Sequence, residues 1–389
     1  MASEALLQSI FVIFSGAAVL ATVALFARQS MLVSYIVLGI FLGPQGVGLV
    51  GRPEIIQQIS HVGIIFLLFL LGLNLHPQKL LLQLREAVTV TVASSLAFGS
   101  VGFAVALAFG FSPTEGLVLA AACTFSSTII GLKLLPTTQL HHQHAGEVII
   151  SILLLQDLIA IVLLLVLQAV GQHGRILVEL GLLSLALPAV TVLAFLGARY
   201  VLLPLFARFD TIHEYVFLIA IGWCLGVAEL ATYMNLSEEI GAFIAGVALA
   251  TNPISTFIAE SLKPLRDFFL VMFFFSLGAT FDLGAMGEAA IPALLLAAAL
   301  LLLKPPVFRY LLRRSGESGA LAGEVGGRLG QMSEFALFIA VLAEQVGAIG
   351  SRAGYLIQLA TLMTFVVSSY VIMLRYPTPI AVSARLRRD

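Results

Sequence analysis

The 389-residue sequence predicts an all-α polytopic membrane protein of about thirteen spans. Three observations carry that prediction. Apolar residues make up 60% of the chain and charged residues only 11%, with a mean hydropathy of +1.07, where a soluble domain carries about 25% charged residues. Apolar runs repeatedly reach the roughly 20 residues that a spanning helix needs, and they are too long for barrel strands. Basic residues then fall on alternate loops, as a fixed topology requires. A net charge of −1 gives nucleic acid nothing to bind. Cys123 and Cys224 lie inside apolar runs and read as small buried hydrophobes.

In order, the predicted spans lie near 5–27, 31–50, 55–75, 87–109, 114–135, 146–170, 176–205, 214–234, 237–250, 265–283, 289–312, 324–346 and 354–374. The first run has no basic stretch before it and no small-residue cleavage site after it, so it reads as a mature span and not a signal peptide. Connections are short and leave no room for an inserted soluble domain. Placing the N-terminus outside gathers most basic residues on the inner side, among them Arg28, Lys79, Arg85, Lys133, Arg199, Arg208, Arg309, Arg328, Arg375, Arg385 and Arg387. Only Arg52, Arg175 and Arg352 then fall outside. The bias predicts a cytoplasmic C-terminus.

Two stretches repeat. Residues 70–75 (LLGLNL) resemble 275–282 (FSLGATFD), setting Gly72 opposite Gly278, and the Gly39/Gly43 stretch resembles Ala242/Gly246. Each pair is separated by an odd number of spans, which implies inverted topology, the architecture of many secondary transporters. The repeats run from about 5 to 170 and from about 214 to 374, with a linker helix near 176–205.

The same offset pairs span 5 with span 12, and both are polar. The first carries Thr124, Ser126, Ser127 and Thr128; the second carries Gly326, Gly327, Gly330, Gln331, Ser333 and Glu334. Polar, glycine-rich interruptions at matching places point to broken helices, whose unwound backbone is tolerated at that depth only where protein or water satisfies it. Carbonyls and hydroxyls there would be hard oxygen ligands for an alkali cation. The competing reading is that each hydroxyl bonds back to its own helix.

Three ionisable residues fall deep in spans: Asp157, Lys304 and Glu334. A carboxylate at the centre of a spanning helix costs about 2.5–3.5 kcal/mol on insertion scales, so each of the three is expected to face the bundle interior. Asp157 would hold a proton or a small cation in turn, with Gln156 as a neutral neighbour. Lys304 precedes Pro305 and Pro306, which free backbone carbonyls. It would neutralise Asp157 or Glu334 when no cation is bound, unless it snorkels to the surface. Glu334 reads as a second ligand, a proton acceptor or, most simply, a clamp on the unwound segment. His141, His142 and His144 read as a solvated loop, and Glu229 and Asn74 as lesser candidates.

Residues 153–162 (LLLQDLIAIV), 125–129 (FSSTI), 330–339 (GQMSEFALFI) and 39–49 (GIFLGPQGVGL) together resemble the Kef-type potassium/proton antiporters, of the second monovalent cation:proton antiporter family. The likeness runs over essentially the whole chain. It implies a thirteen-span fold like that of the bacterial sodium/proton antiporters. In that fold two crossed, discontinuous helices sit in a core domain that moves like an elevator against a dimerisation domain. By the same resemblance Asp157 corresponds to the ion-binding aspartate, Gln156 to the residue before it, Lys304 to a basic residue preceding the second broken helix, and Glu334 to the acid of the QxxEF segment. Kef proteins usually continue into a cytoplasmic nucleotide-binding domain, which this sequence does not show, and Asn74 stands where relatives often carry an acid.

The sequence therefore leads to exchange of a monovalent cation, K+ before Na+, for H+. The expected cation/proton site is Asp157, Gln156, Thr124, Ser126, Ser127, Thr128, Ser333 and Glu334, with Lys304 compensating charge. No cofactor beyond the transported ions is expected. The resemblance further implies a bacterial inner membrane and a homodimer. A channel is disfavoured because no filter loop is visible, and an intramembrane enzyme because no HExxH zinc signature occurs and no second deep aspartate is present.

Overall fold

The computed structural model describes residues 2–376 apart from 28, 51–52, 75–76, 129, 131–143, 172–175, 210–211, 235, 281–283 and 285. Arg28, Arg52, Lys133, Arg175, His141, His142, Asp282, Arg385 and Arg387 therefore lie outside the described residues, as does the side chain of Asn74. Among the described residues the chain is helical throughout. Its first helices are α1 (Ala2–Phe26), α2 (Met31–Leu42), α3 (Pro53–Asn74), α4 (Pro77–Ala108), α5 (Pro113–Thr124) and α6 (His144–Gly171). The middle of the chain forms α7 (Ile176–Gly197), α8 (Leu203–Phe209), α9 (His213–Tyr233), α10 (Glu238–Ala250), α11 (Ile254–Ser261) and α12 (Lys263–Ala279). It closes with α13 (Met286–Arg314), α14 (Gly319–Arg328), α15 (Glu334–Gln345) and α16 (Ser351–Arg375).

Six stretches among the described residues are long and apolar enough to cross a bilayer: Leu7–Phe26, Ala87–Ala108, Leu185–Phe209, His213–Tyr233, Gly287–Arg314 and Ser351–Arg375. Several of the other predicted spans are shorter than a full crossing or interrupted. Helix α2 stops at Leu42, α10 has 13 residues, and the spans expected at 114–135 and 324–346 are each broken. The linker helix does not run as one α-helix. Pro204 has no N–H to offer, and the ladder widens into a π-turn over Ala198–Leu202 before α8.

The chain forms two compact units, each drawing on both halves of the sequence. One comprises Met1–Ala17, Tyr35–Leu82 and Gln168–Thr280; the other comprises Ala18–Ser34, Gln83–Leu167 and Phe281–Asp389.

Two glycine crossings organise the first unit. A Cβ built on Gly39 would fall on the Phe275 carbonyl and 2.9 Å from Gly278 Cα, and one on Gly278 would fall on the Ile36 carbonyl. The second crossing repeats the first. A Cβ on Gly246 would fall on the Phe69 carbonyl and 2.9 Å from Gly72 Cα, and one on Gly72 would fall on the Phe243 carbonyl. Only hydrogen fits at these four places, which lets α2 meet α12, and α3 meet α10, backbone to backbone. The two crossings mirror each other: Gly39 stands to Gly278 as Gly246 stands to Gly72, so Gly246 takes the place expected for Ala242, one helical turn away. Further along α3, Ser60 donates to its own helix at Ile56 O and to Met272 O of α12. His61 meets Glu239 at 3.3 Å, tying α3 to the start of α10. Trp223 of α9 donates to Ala245 O of α10.

The second unit is built around helices that stop and restart. Helix α5 begins in a capping box, with Ser112 and Glu115 each accepting from the other's N–H and Pro113 at the first turn. It ends at Thr124, where Phe125 turns extended, and helical backbone resumes at Thr128. Helix α14, capped by Ser318, ends at Arg328, and α15 starts at Glu334 under a Ser333 cap. Helix α13 passes beside α14, where a Cβ on Gly326 would lie 2.5 Å from the Pro305 carbonyl. Glu115 also accepts from Gly350 N–H, which ties the start of α5 to the start of α16.

The crossings make a direct prediction. Gly246→Ala should destabilise the protein, because the methyl would meet backbone that cannot give way. Gly226→Ala on the open face of α9, where nothing lies within 4 Å, should be neutral or stabilising by up to about 1 kcal/mol of helix propensity. Thermal melts of the two purified variants should therefore show a lower midpoint for Gly246→Ala and an unchanged or higher one for Gly226→Ala.

Candidate functional site

The site lies in the second unit, where the two breaks meet α6 and α13. A break in a buried helix leaves carbonyls at the end of the first half and N–H groups at the start of the second without their usual partners. In an apolar bundle each unmet group costs about 1–3 kcal/mol. The residues around the breaks meet that demand one by one.

Gln156 closes the first break. Its Oε1 accepts from Ser126 N–H at 2.9 Å and its Nε2 donates to Thr124 O at 3.1 Å. Ser127 caps the resumed helix by accepting from Ile130 N–H at 3.0 Å, and Ser333 caps α15 by accepting from Phe335 N–H at 3.1 Å. Ser126 joins the two breaks, its hydroxyl donating to Leu329 O at 2.9 Å. Thr124 Oγ1 bonds back to Ala121 O, so for this residue the local reading prevails.

Lys304 is completely buried. Its ammonium donates to Phe125 O at 2.6 Å, Gln331 O at 3.0 Å and Ser126 Oγ at 3.3 Å, and stands 5.0 Å above the Phe98 ring. It neither snorkels nor pairs within 4 Å with an acid among the described residues. It sits where α5 and α14 both end, so a positive charge meets the negative ends of two half-helices and a favourable ring face. The backbone carbonyls freed at the breaks are thus its partners in place of Asp157 or Glu334.

Asp157 falls midway along α6 and is 2% exposed. Its Oδ2 is buried without a hydrogen-bond partner, as is Thr128 Oγ1 at the start of the resumed first helix. Glu334, buried and first in α15, lies within electrostatic range of Asp157. Thr128 and Glu334 thus hold equivalent places, each at the first position after its break. Of the predicted ligands, Gln156, Ser126, Ser127, Ser333 and Thr124 already have partners in building the breaks, whereas Asp157 and Thr128 carry an oxygen that does not. An ionised carboxylate buried in this way is costly unless a positive charge joins it. A proton or a small cation would each fill that need at the same atom.

Four participants carried no role in the sequence reading. Gln331 has its Oε1 held by Ser368 at 2.8 Å. Thr364 Oγ1 accepts from Met332 N–H at 3.1 Å. Arg328, expected at an inner span end, is completely buried, bonded to Glu324 at 2.8 and 3.0 Å and 5.6 Å from the Tyr376 ring. The available signal was the spacing of Thr361, Thr364 and Ser368 at i, i+3 and i+7, a polar stripe down one face of an apolar helix. Glu229 is exposed on α9, within the first unit. No cluster of three or more His, Cys, Asp or Glu suited to a metal ion occurs among the described residues.

The pattern of the sodium/hydrogen exchanger transmembrane domain matches residues 11–374, nearly the whole chain. The chain belongs to the sodium/hydrogen exchanger family. It is a multi-pass membrane protein, and the Kef-type resemblance is borne out by its relatives. It is 29% identical over 372 residues to K(+) efflux antiporter 4 of Arabidopsis thaliana, covering 93% of this chain and 62% of that protein. It is 28% identical over 383 residues to the glutathione-regulated potassium-efflux system protein KefC of Salmonella heidelberg, covering 96% and 61%. The iron transporter MagA of Paramagnetospirillum magneticum is 28% identical over 346 residues, covering 88% and 79%. The chain thus spans about three fifths of the length of the two potassium-efflux relatives. Its fold matches the sodium proton antiporter MjNhaP1 of Methanocaldococcus jannaschii with a TM-score of 0.70 at 17% identity, over 96% of this chain and 97% of that one.

Lys304→Met should leave the Phe125 and Gln331 carbonyls unmet. The expected loss is about 1–3 kcal/mol per group, read as a lower melting temperature in detergent, whereas Lys304→Arg should retain most of the stability.

Proposed function

We propose that this protein exchanges a monovalent cation for protons across the membrane, with Asp157 as the group for which the two ions compete. The observation that carries this reading is a carboxyl group buried midway along a helix with one oxygen unpartnered, beside two broken helices whose freed backbone groups are met by Gln156, Ser126, Lys304 and Thr364. Membership of the sodium/hydrogen exchanger family and similarity to potassium-efflux antiporters support it, and potassium is the favoured cation on that similarity. Sodium is the second reading, since both ions take hard oxygen ligands.

The arrangement favours one proton for one cation. Gln156 cannot ionise, and its amide is engaged in the first break. Lys304 is engaged by three acceptors. Asp157 is then the carrier, and Glu334, first in α15, either supplies a further oxygen or tunes the charge at Asp157. Elevator-type movement, a homodimer and a bacterial inner-membrane setting with the C-terminus in the cytoplasm complete the proposal. They rest on the family resemblance and on the distribution of basic residues.

Proteoliposomes loaded with a pH-sensitive dye test the reading. Wild type should dissipate a proton gradient on addition of K+ or Na+, with an apparent cation affinity that weakens as the solution is acidified. Asp157→Asn should lose exchange entirely while eluting and melting like wild type. Exchange retained in Asp157→Asn, or affinity indifferent to pH, would falsify the assignment.

A further inference from the structure

Helix α16 has no part in the reading above, yet it touches the second broken helix along its length through polar groups that an apolar bundle does not need for packing. Thr364, Ser368 and Tyr376 lie at i, i+4 and i+12, so their Cα atoms span about 18 Å of axis at 1.5 Å per residue. Thr364 donates its one hydroxyl hydrogen to Thr361 O at 2.8 Å, which leaves its oxygen to accept from Met332 N–H at 3.1 Å. Met332 lies in the unwound stretch between α14 and α15, is completely buried, and has no turn of its own helix to bond to. Ser368 donates to Gln331 Oε1 at 2.8 Å, fixing the side chain of the residue whose backbone carbonyl receives Lys304. Tyr376, the first residue past the end of α16, donates to Gly323 O at 2.9 Å and lays its ring beside Arg328. That ring fills the space a Cβ on Gly327 would need.

The first break is shaped by Gln156, next in sequence to Asp157. Among the described residues no sequence neighbour of Asp157 bonds to the second break, and α16 takes that part. We propose that α16 is the template of the second break and that Thr364 and Ser368 are positioning residues, holding Met332 and Gln331 so that Ser333 and Glu334 start α15 in register with Asp157. Neither residue touches the transported ion; both act through the backbone that leads to Glu334. The functional half of this inference rests on the exchange reading, whereas the structural half stands apart from it and is tested separately.

The test uses the purified full chain with Thr364→Val, Thr364→Ser and Ser368→Ala. Valine keeps the shape of threonine and removes the acceptor; serine keeps the acceptor. In hydrogen–deuterium exchange, peptides covering 329–335 should lose protection roughly tenfold in Thr364→Val and stay at wild-type rates in Thr364→Ser, as expected for one buried hydrogen bond. In proteoliposomes Thr364→Val should raise the apparent cation KM about fivefold with maximal rate little changed, and Thr364→Ser should restore it. Ser368→Ala should move KM in the same direction, and it decides the matter if the valine variant does not fold. Unaltered protection at 329–335 in Thr364→Val, or a serine variant as impaired as the valine one, overturns the template. Lost protection with wild-type KM and rate overturns the positioning role. Wild-type protein that exchanges no cation overturns the proposed function, while the deuterium measurement still decides the template.

Discussion

The second unit depends on one constraint: backbone that stops being helical inside an apolar bundle must find every partner close by. Two helices break there, and their loose ends are met by Gln156, Ser126, Lys304 and Thr364. The arrangement has a polarity. The ends of α5 and α14 present carbonyls, and the ammonium of Lys304 lies between them. The restarts are capped by Ser127 and Ser333, and the residues just beyond the caps are Thr128 and Glu334. Charge within the membrane is thus distributed by the direction of the half-helices. Asp157 is left as an acid whose open oxygen calls for a positive partner.

Much of this was legible in the sequence because its cause is local. Ser and Thr beside Phe125, and glycines before Gln331, are poor material for an uninterrupted spanning helix, and the breaks fall there. Asp157, Lys304 and Glu334 stood out because charge in an apolar run is rare, and all three are buried. What the sequence left open was who bonds to whom. Gln156 looked like a ligand because it neighbours Asp157, yet its amide holds the backbone of Thr124 and Ser126, about thirty residues away. Lys304 looked like the partner of a carboxylate, since opposite charges attract. The freed carbonyls at the breaks compete for the same ammonium, and nothing in a linear sequence ranks the two. Thr364 and Ser368 were passed over because isolated hydroxyls usually bond back to their own helix. Thr364 does that as well as accepting from Met332.

The repeat shows the same division. Small residues recurring at a fixed offset suggest it but do not fix its register, since Ala242 and Gly246 are both small. Contact settles the choice: only Gly246 meets Gly72 as Gly39 meets Gly278.

Those two crossings also govern how this protein can be recombined with others. Each helix contributes one half of a backbone-to-backbone fit with no side chain to absorb error. Helix α2 and helix α12 therefore form an indivisible cassette, as do α3 and α10, although more than two hundred positions separate the members of the first pair and well over a hundred those of the second. A chimaera that imports α2 from a distant cousin without its α12 would join two surfaces shaped for other partners. Grafts that move both members together keep the fit.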